Sequence, residues 1–201
     1  GSIISSVVPP INQALRDAVI RLTGTTPLLV GPGVKSGLNI LLDNPGQAGS
    51  DLVVDAVAAI AQYPKPLIVI DMGTATTLSV INERGDYLGG LILPGVKISQ
   101  DTLTGRTSQL PRIALEAPPH VIGRNTIDCM KSGAIFGQAA MLDGLIERVE
   151  EELGQKTTVI ATGGLAGCIV PHCKREIIYD NDLLLKGLRI IYEKNRPDAK
   201  R

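Results

Sequence analysis

The stretch from Leu67 to Thr77, Leu-Ile-Val-Ile-Asp-Met-Gly-Thr-Ala-Thr-Thr, constrains this chain more than any other part of it. Leu67 and the β-branched Ile68, Val69 and Ile70 form a short uninterrupted apolar run, which fits a strand buried on both faces. The run ends on a carboxylate, Asp71, and then enters a turn of glycine and hydroxyl residues. Gly73 lets the backbone approach a ligand or take a positive φ, and Thr74, Thr76 and Thr77 offer hydroxyls and N–H groups suited to phosphate oxygens. An acid beside such a cradle implies a cation bridging acid and phosphate. The same residues also suit a strand followed by a plain β-turn, with Asp71 as turn former.

A second strand-to-glycine turn tips the balance. Thr157 to Ala161 reads as a strand and is followed at once by Thr162-Gly163-Gly164, about ninety residues after the first turn. Two such turns are what a nucleotide cleft needs when phosphates lie between two lobes. Neither is a P-loop, and no Gly-x-Gly-x-x-Gly is present, so the P-loop and dinucleotide-fold readings lose their main support.

Composition narrows the partners. Lys plus Arg equals Asp plus Glu at 20 each, so no overall field recruits nucleic acid or an anionic membrane. One Phe, four Tyr and no Trp leave few platforms for stacking bases. The 201 residues are 44% apolar, enough for one large or two small packed domains. No apolar run reaches the roughly 18 residues of a membrane span, and no leader pattern opens the sequence. Three scattered cysteines suit a reducing cytosol, so a cytoplasmic location is expected. Cys168, His172 and Cys173 lie close together, but no second cluster completes a four-ligand metal site.

The remaining chain reads as alternating strands and helices. Strands are expected at Ile3 to Val8, Leu28 to Val30 and Ile177-Ile178, with a hairpin formed by Leu78 to Ile81 and Tyr87 to Leu93. Apolar spacings of three and four predict helices over Ile11 to Leu22, with one face packed inward, and over Asp51 to Ala61, with Ser50 or Asp51 as N-cap. Lys35 to Gly49 looks irregular, and Val96 to Leu103 has helical character. Asn125 to Val149 is the longest helical stretch, expected to break near Gly133 or Gly137, and its small residues allow close approach of another helix or chain. Glu147 to Glu152 reads as a solvated charged run, Leu183 to Lys194 as a closing helix, and Arg196 to Arg201 as a fraying tail.

These residues, taken in order, resemble the type III pantothenate kinases of the actin-like ATPase and sugar kinase superfamily. The resemblance runs through Ile4-Ser-Ser-Val-Val-Pro-Pro10, Lys35-Ser-Gly-Leu38, Asp43-Asn-Pro45, Gly49-Ser-Asp51, Asp71 to Thr77, Tyr87-Leu-Gly-Gly90, Asn125-Thr126, Asp143-Gly144 and Ala161-Thr-Gly-Gly164. It implies two ribonuclease-H-like α/β lobes, here residues 1–66, an incomplete first lobe, and 67–201, the second. It also implies a dimer that uses ATP, Mg2+ and a monovalent cation, K+ or NH4+, to phosphorylate pantothenate in the first step of coenzyme A synthesis.

Carried over by residue, the resemblance makes Asp51 the base that takes the proton from the pantothenate hydroxyl. Asp71 becomes the acid holding the cations, Gly73, Thr74 and Thr76 the phosphate turn, and Gly163 and Gly164 the second nucleotide turn. Gly49 and Thr126 become pantothenate contacts, Thr126 reaching the site of the partner subunit.

The departures are specific. The family opens with a strand and an Asp-x-Gly-Asn-Thr turn, and this sequence starts after it, so the chain by itself is expected to be inactive and its opening lobe to expose sheet edges. The family's Gly-Ala-Asp-Arg reads Gly49-Ser50-Asp51-Leu52, the Tyr before Asp-Asn-Pro is Leu42, and an expected acid is Ser79. Losing an Arg that faces a substrate carboxylate weakens binding, which leaves open a kinase of a different small alcohol. A heteromer with a complete paralogue, or a non-catalytic regulatory subunit on the same fold, also remains open.

Overall fold

The computed structural model describes residues 1–196, so the expected tail beyond Arg196 lies outside the described residues. The chain divides into two compact units. Among the described residues, the first comprises 1–65, 81–89 and 182–196, and the second 66–80 and 90–181.

The second unit is built on the strand with which the sequence reading began. β3, Leu67–Met72, is buried at every position except Asp71. It is the middle strand of a five-stranded sheet that also contains β4 (Ala75–Ile81), β5 (Tyr87–Pro94), β6 (Thr158–Thr162) and β7 (Ile178–Tyr179), in the order β5-β4-β3-β6-β7. β3 runs parallel to β6, and β6 parallel to β7. Two residues join β3 to β4, a connection that only antiparallel neighbours permit. Helices α3 (Val96–Arg106), α4 (Thr126–Leu153) and α5 (Ala166–Ile169) complete the unit. Ile68, Ile70 and Met72 of β3 share a core with Ile135, Leu142 and Ile146 of α4, and with Val96 and Ile169.

Helix α4 does not break at Gly133 or Gly137 and runs for 28 residues. A helical glycine costs about 1 kcal/mol relative to alanine. Burial of Met130, Ala134, Ile135, Ala139, Leu142 and Ile146 on the other face outweighs that. Asn125 caps the helix, its side chain accepting the Asp128 N–H at 2.9 Å.

The charged run at the end of α4 is not simply solvated. Glu150 is 5% exposed. Its carboxylate accepts from Arg175 Nη2 (2.8 Å), Lys156 Nζ (2.8 Å) and both the N–H and the hydroxyl of Thr157 (2.9 and 3.0 Å). Arg175 also donates to the Thr157 carbonyl, tying the helix end to the start of β6 and the approach to β7. Burial alone would raise the Glu150 pKa, but Lys156, Thr157 and Arg175 together hold it below the ordinary carboxylate value.

The first unit contains the parallel pair β1 (Ile3–Ile4) and β2 (Leu28–Leu29), with helices α1 (Pro9–Thr23), α2 (Ser50–Gln62) and α6 (Leu183–Lys194). Strand β1 is shorter than the expected Ile3 to Val8, because Pro9 already opens α1. The closing helix, which the sequence grouped with the second lobe, packs on α2 instead. A Cβ at Gly187 would overlap the Val54 carbonyl, so glycine is what lets the two helices touch there. Val30, Val54, Val57 and Ile191 form the core of this unit. Helix α1 buries no residue, and the face expected to pack inward, including Ile11, Leu15 and Leu22, is exposed.

Candidate functional site

Register brings the two glycine turns together. Parallel pairing sets Asp71 of β3 opposite Thr162 of β6, so the chain leaves both strands at the same edge of the sheet. In α/β sheets, ligands bind outside the carboxyl ends of the strands. Gly163 has φ 92°, and a Cβ on it would lie 2.6 Å from Asp71 Oδ1 and 2.7 Å from the Met72 nitrogen. Only glycine therefore allows the second turn to lie against the carboxylate of the first. The Leu165 N–H donates to the Met72 carbonyl at 3.3 Å and closes the pair.

Around this junction the expected residues divide. Thr74 and Gly164 are exposed, and a Cβ on Gly164 would meet open space. The Gly73 N–H is already donated to the Ala75 carbonyl at 3.0 Å, so it serves the turn itself. Pro94-Gly95 closes the other side, where a Cβ on Gly95 would collide with the carbonyls of Gly73 and Thr74. Thr76 belongs to β4 and is wholly buried, and its hydroxyl has no partner. Thr77 carries a second buried hydroxyl without a partner one residue on. A buried hydroxyl left unpaired costs ~1–3 kcal/mol, and because successive strand residues face opposite sides, Thr76 and Thr77 leave one unmet polar group on each side of β4.

A cation fits this surface in one way. Among the described residues no three His, Cys, Asp or Glu side chains gather to hold a metal ion. Mg2+ commonly takes only one or two carboxylates and completes its shell with phosphate oxygens and water. Asp71 is a donor of that kind.

Gly49 and Asp51 meet in the first unit. Helix α2 starts at Ser50 with Gly49 as N-cap, so Asp51 lies inside the first turn and is not the cap. Its Oδ1 accepts the Leu52 N–H at 2.9 Å. A Cβ on Gly49 would lie 2.6 Å from that same oxygen, so the glycine leaves the carboxylate its position. Ser5 Oγ donates to Ser50 Oγ at 3.0 Å and ties the end of β1 to this turn.

Thr126 is the first residue of α4 and is exposed. It lines a groove of about 720 Å³ in the second unit, together with Arg124, Cys129, Ser99 and Gln100. The Gln100 Oε1 is buried there without a partner, and neither it nor Arg124 was singled out in the sequence, although Arg124 directly precedes the Asn125-Thr126 motif.

Comparison with known proteins gives these half-sites a family. The type III pantothenate kinase family model matches residues 1–148. The type III pantothenate kinase of Moorella thermoacetica is 45% identical over 195 residues, covering 97% of this chain and 77% of that protein. That of an Exiguobacterium species is 49% identical over 196 residues, covering 98% and 77%. Among solved structures, a conserved putative Baf family transcriptional activator from Campylobacter jejuni superposes with TM-score 0.61 at 21% identity. It covers 94% of this chain and 80% of that one, and it shows a shared fold. Among the described residues no helix is long and apolar enough to cross a membrane. With relatives this similar over nearly its whole length, the chain belongs to the type III pantothenate kinase family of phosphotransferases.

Proposed function

We propose that this chain takes part in ATP-dependent phosphorylation of pantothenate or a closely similar small alcohol, the first step of coenzyme A synthesis. The observation that carries this reading is the fit of Gly163 against Asp71 at one sheet edge, which joins the two expected phosphate turns into one surface. We assign the ATP phosphates to Thr74, Gly163 and Gly164, with Gly73 shaping the first turn through its N–H to the Ala75 carbonyl and Thr76 following in β4. Mg2+ and the monovalent cation, K+ or NH4+, belong at Asp71, where they would neutralise charge on the transferred phosphoryl group. Asp51 takes the proton from the acceptor hydroxyl, with Gly49 keeping that carboxylate in place. Thr126 serves as an acceptor contact.

A homodimer is part of the same reading. Cβ atoms at Gly133, Gly137 and Gly144 would meet nothing within 4 Å. With the exposed Ala140 they form one stripe along α4, at spacings of four, three and four residues. We place the partner subunit there.

Calorimetric titration with ATP in the presence of Mg2+ tests the nucleotide half. Wild type binds, Asp71→Asn weakens binding at least tenfold, and Asp51→Asn leaves it within twofold. Loss of ATP binding in Asp51→Asn with none in Asp71→Asn would reverse the assignment.

A further inference from the structure

The turn after β3 is built against Gly95, the residue that joins β5 to α3. Gly95 has φ −65° and ψ 157°, a backbone conformation open to any residue. What bars a side chain there is a neighbour. A Cβ would overlap the Thr74 carbonyl oxygen, and would stand 2.7 Å from the Gly73 oxygen and 2.8 Å from the Thr74 carbonyl carbon. Each oxygen is nearer that Cβ than its own carbon is, so both carbonyls of the turn face the bend. A trans peptide holds its C=O and N–H in opposite directions. With the Gly73 oxygen turned toward Gly95, the Thr74 N–H of the same peptide faces away from it, and an anion at the turn meets a donor in place of an acceptor.

The bend is the firmer of the two partners. The Gly95 carbonyl accepts both the N–H and the hydroxyl of Ser99, each at 3.0 Å. Val96, the next residue, is buried in the core of the second unit. Thr74 is exposed and Gly73 only half-buried, so a methyl group at position 95 displaces the turn before it displaces the bend.

We propose that Gly95 is a positioning residue for the nucleotide: by taking the Gly73 and Thr74 carbonyls against a bare backbone, it keeps their oxygens away from phosphate and the Thr74 N–H toward it. The proposal rests on the ATP phosphates meeting Thr74, and it adds to that reading a residue that acts through the turn without touching the nucleotide. Gly90, in β5, makes a contact of the same kind away from the turn. Its Cβ would overlap the Leu78 carbonyl oxygen and stand 2.9 Å from the carbon of that carbonyl.

The test is calorimetric titration of the 201-residue chain with ATP and Mg2+, on wild type, Gly95→Ala and Gly90→Ala, with circular dichroism to show that each variant is folded. Gly95→Ala loses at least tenfold in ATP affinity, and Gly90→Ala, a packing change of the same kind, stays within threefold. An equal loss in both variants assigns the effect to general packing and overturns the proposal. Gly95→Ala within threefold of wild type also overturns it and leaves the phosphate assignment intact. Should either variant not fold, wild type labelled with 15N-glycine decides: ATP with Mg2+ moves the amide resonances of Gly95 and Gly163 and leaves that of Gly90 in place. Gly163 moving while Gly95 stays overturns the proposal alone, and no binding of ATP to wild type overturns both it and the phosphate assignment.

Discussion

Gly163 and Gly164 are adjacent in sequence, yet the structure predicts opposite consequences for the same substitution. In Gly163→Ala the new residue must hold φ 92°, a left-handed conformation that costs an L-residue ~1–2 kcal/mol. Its Cβ would also stand 2.7 Å from the Met72 nitrogen and 2.8 Å from the Met72 carbonyl carbon. Those atoms belong to the central strand and cannot swing aside, so overpacking adds ~1–3 kcal/mol. The two terms together remove about 2–5 kcal/mol, a large share of the 5–15 kcal/mol of an ordinary domain. Gly164→Ala has no positive φ to hold, and its Cβ meets nothing within 4 Å. It should stay within about 0.5 kcal/mol of wild type. That Cβ enters the space we assign to phosphate, so Gly164→Ala should still lose ATP affinity. Urea unfolding followed by circular dichroism reads the first effect, and titration with ATP the second. A Gly163→Ala protein within 0.5 kcal/mol of wild type would refute the packing argument, and an unchanged ATP affinity in Gly164→Ala would refute the phosphate assignment.

Other outcomes follow from single sites. Glu150→Gln should cost ~1–3 kcal/mol near pH 7, because the amide keeps one oxygen for Arg175 and Thr157 but loses the charge that pairs with Arg175 and sets an NH2 where Lys156 had an acceptor. The Glu150 pKa is held below its ordinary 4.5, so as pH falls below 4.5 the unfolded chain takes up a proton before the folded one does. Stability contributed by Glu150 is thus present above 4.5 and lost on acidification, and the wild-type advantage over Glu150→Gln should shrink in acid unfolding curves. Gly49→Ala should cost no more than about 1 kcal/mol in stability while weakening acceptor binding, since only the movable Asp51 carboxylate has to give way. Maleimide at pH 8 should label exposed Cys129 first. Burial, with Asp143 adding to it, pushes the Cys173 thiol up to about 11 and leaves about a thousandth of it as thiolate. Mass spectrometry after a short pulse should find one adduct, absent in Cys129→Ser. Gly137→Leu should shift a dimer toward monomer in light scattering, and an unchanged mass would argue against the α4 face.

The parts of the fold set by local pattern were legible in the sequence. A four-residue apolar run followed by Asp and Gly does form the central strand and its turn, and Gly163 does need to be glycine. What local pattern missed depends on distant partners. Glu150 looked solvated because Arg175, 25 residues on, is not visible from its neighbours. Glycines at 133 and 137 suggested a break because the core face that holds α4 straight lies on other positions. Thr76 and Thr77 read as turn residues, whereas β4 already begins at Ala75 and carries their hydroxyls inward. The inward face expected of α1 rested on periodicity alone, and periodicity does not say whether a neighbour exists to cover it.

The division of labour between the two units is the central claim, and backbone amide NMR on the 15N-labelled chain tests it most directly. Addition of ATP with Mg2+ should move the resonances of Thr74, Gly163 and Gly164 and leave Gly49 and Asp51 in place. Addition of the acceptor alcohol should move Gly49, Asp51 and Leu52. ATP that shifts Gly49 and Asp51 while leaving Gly163 and Gly164 unmoved would contradict the account.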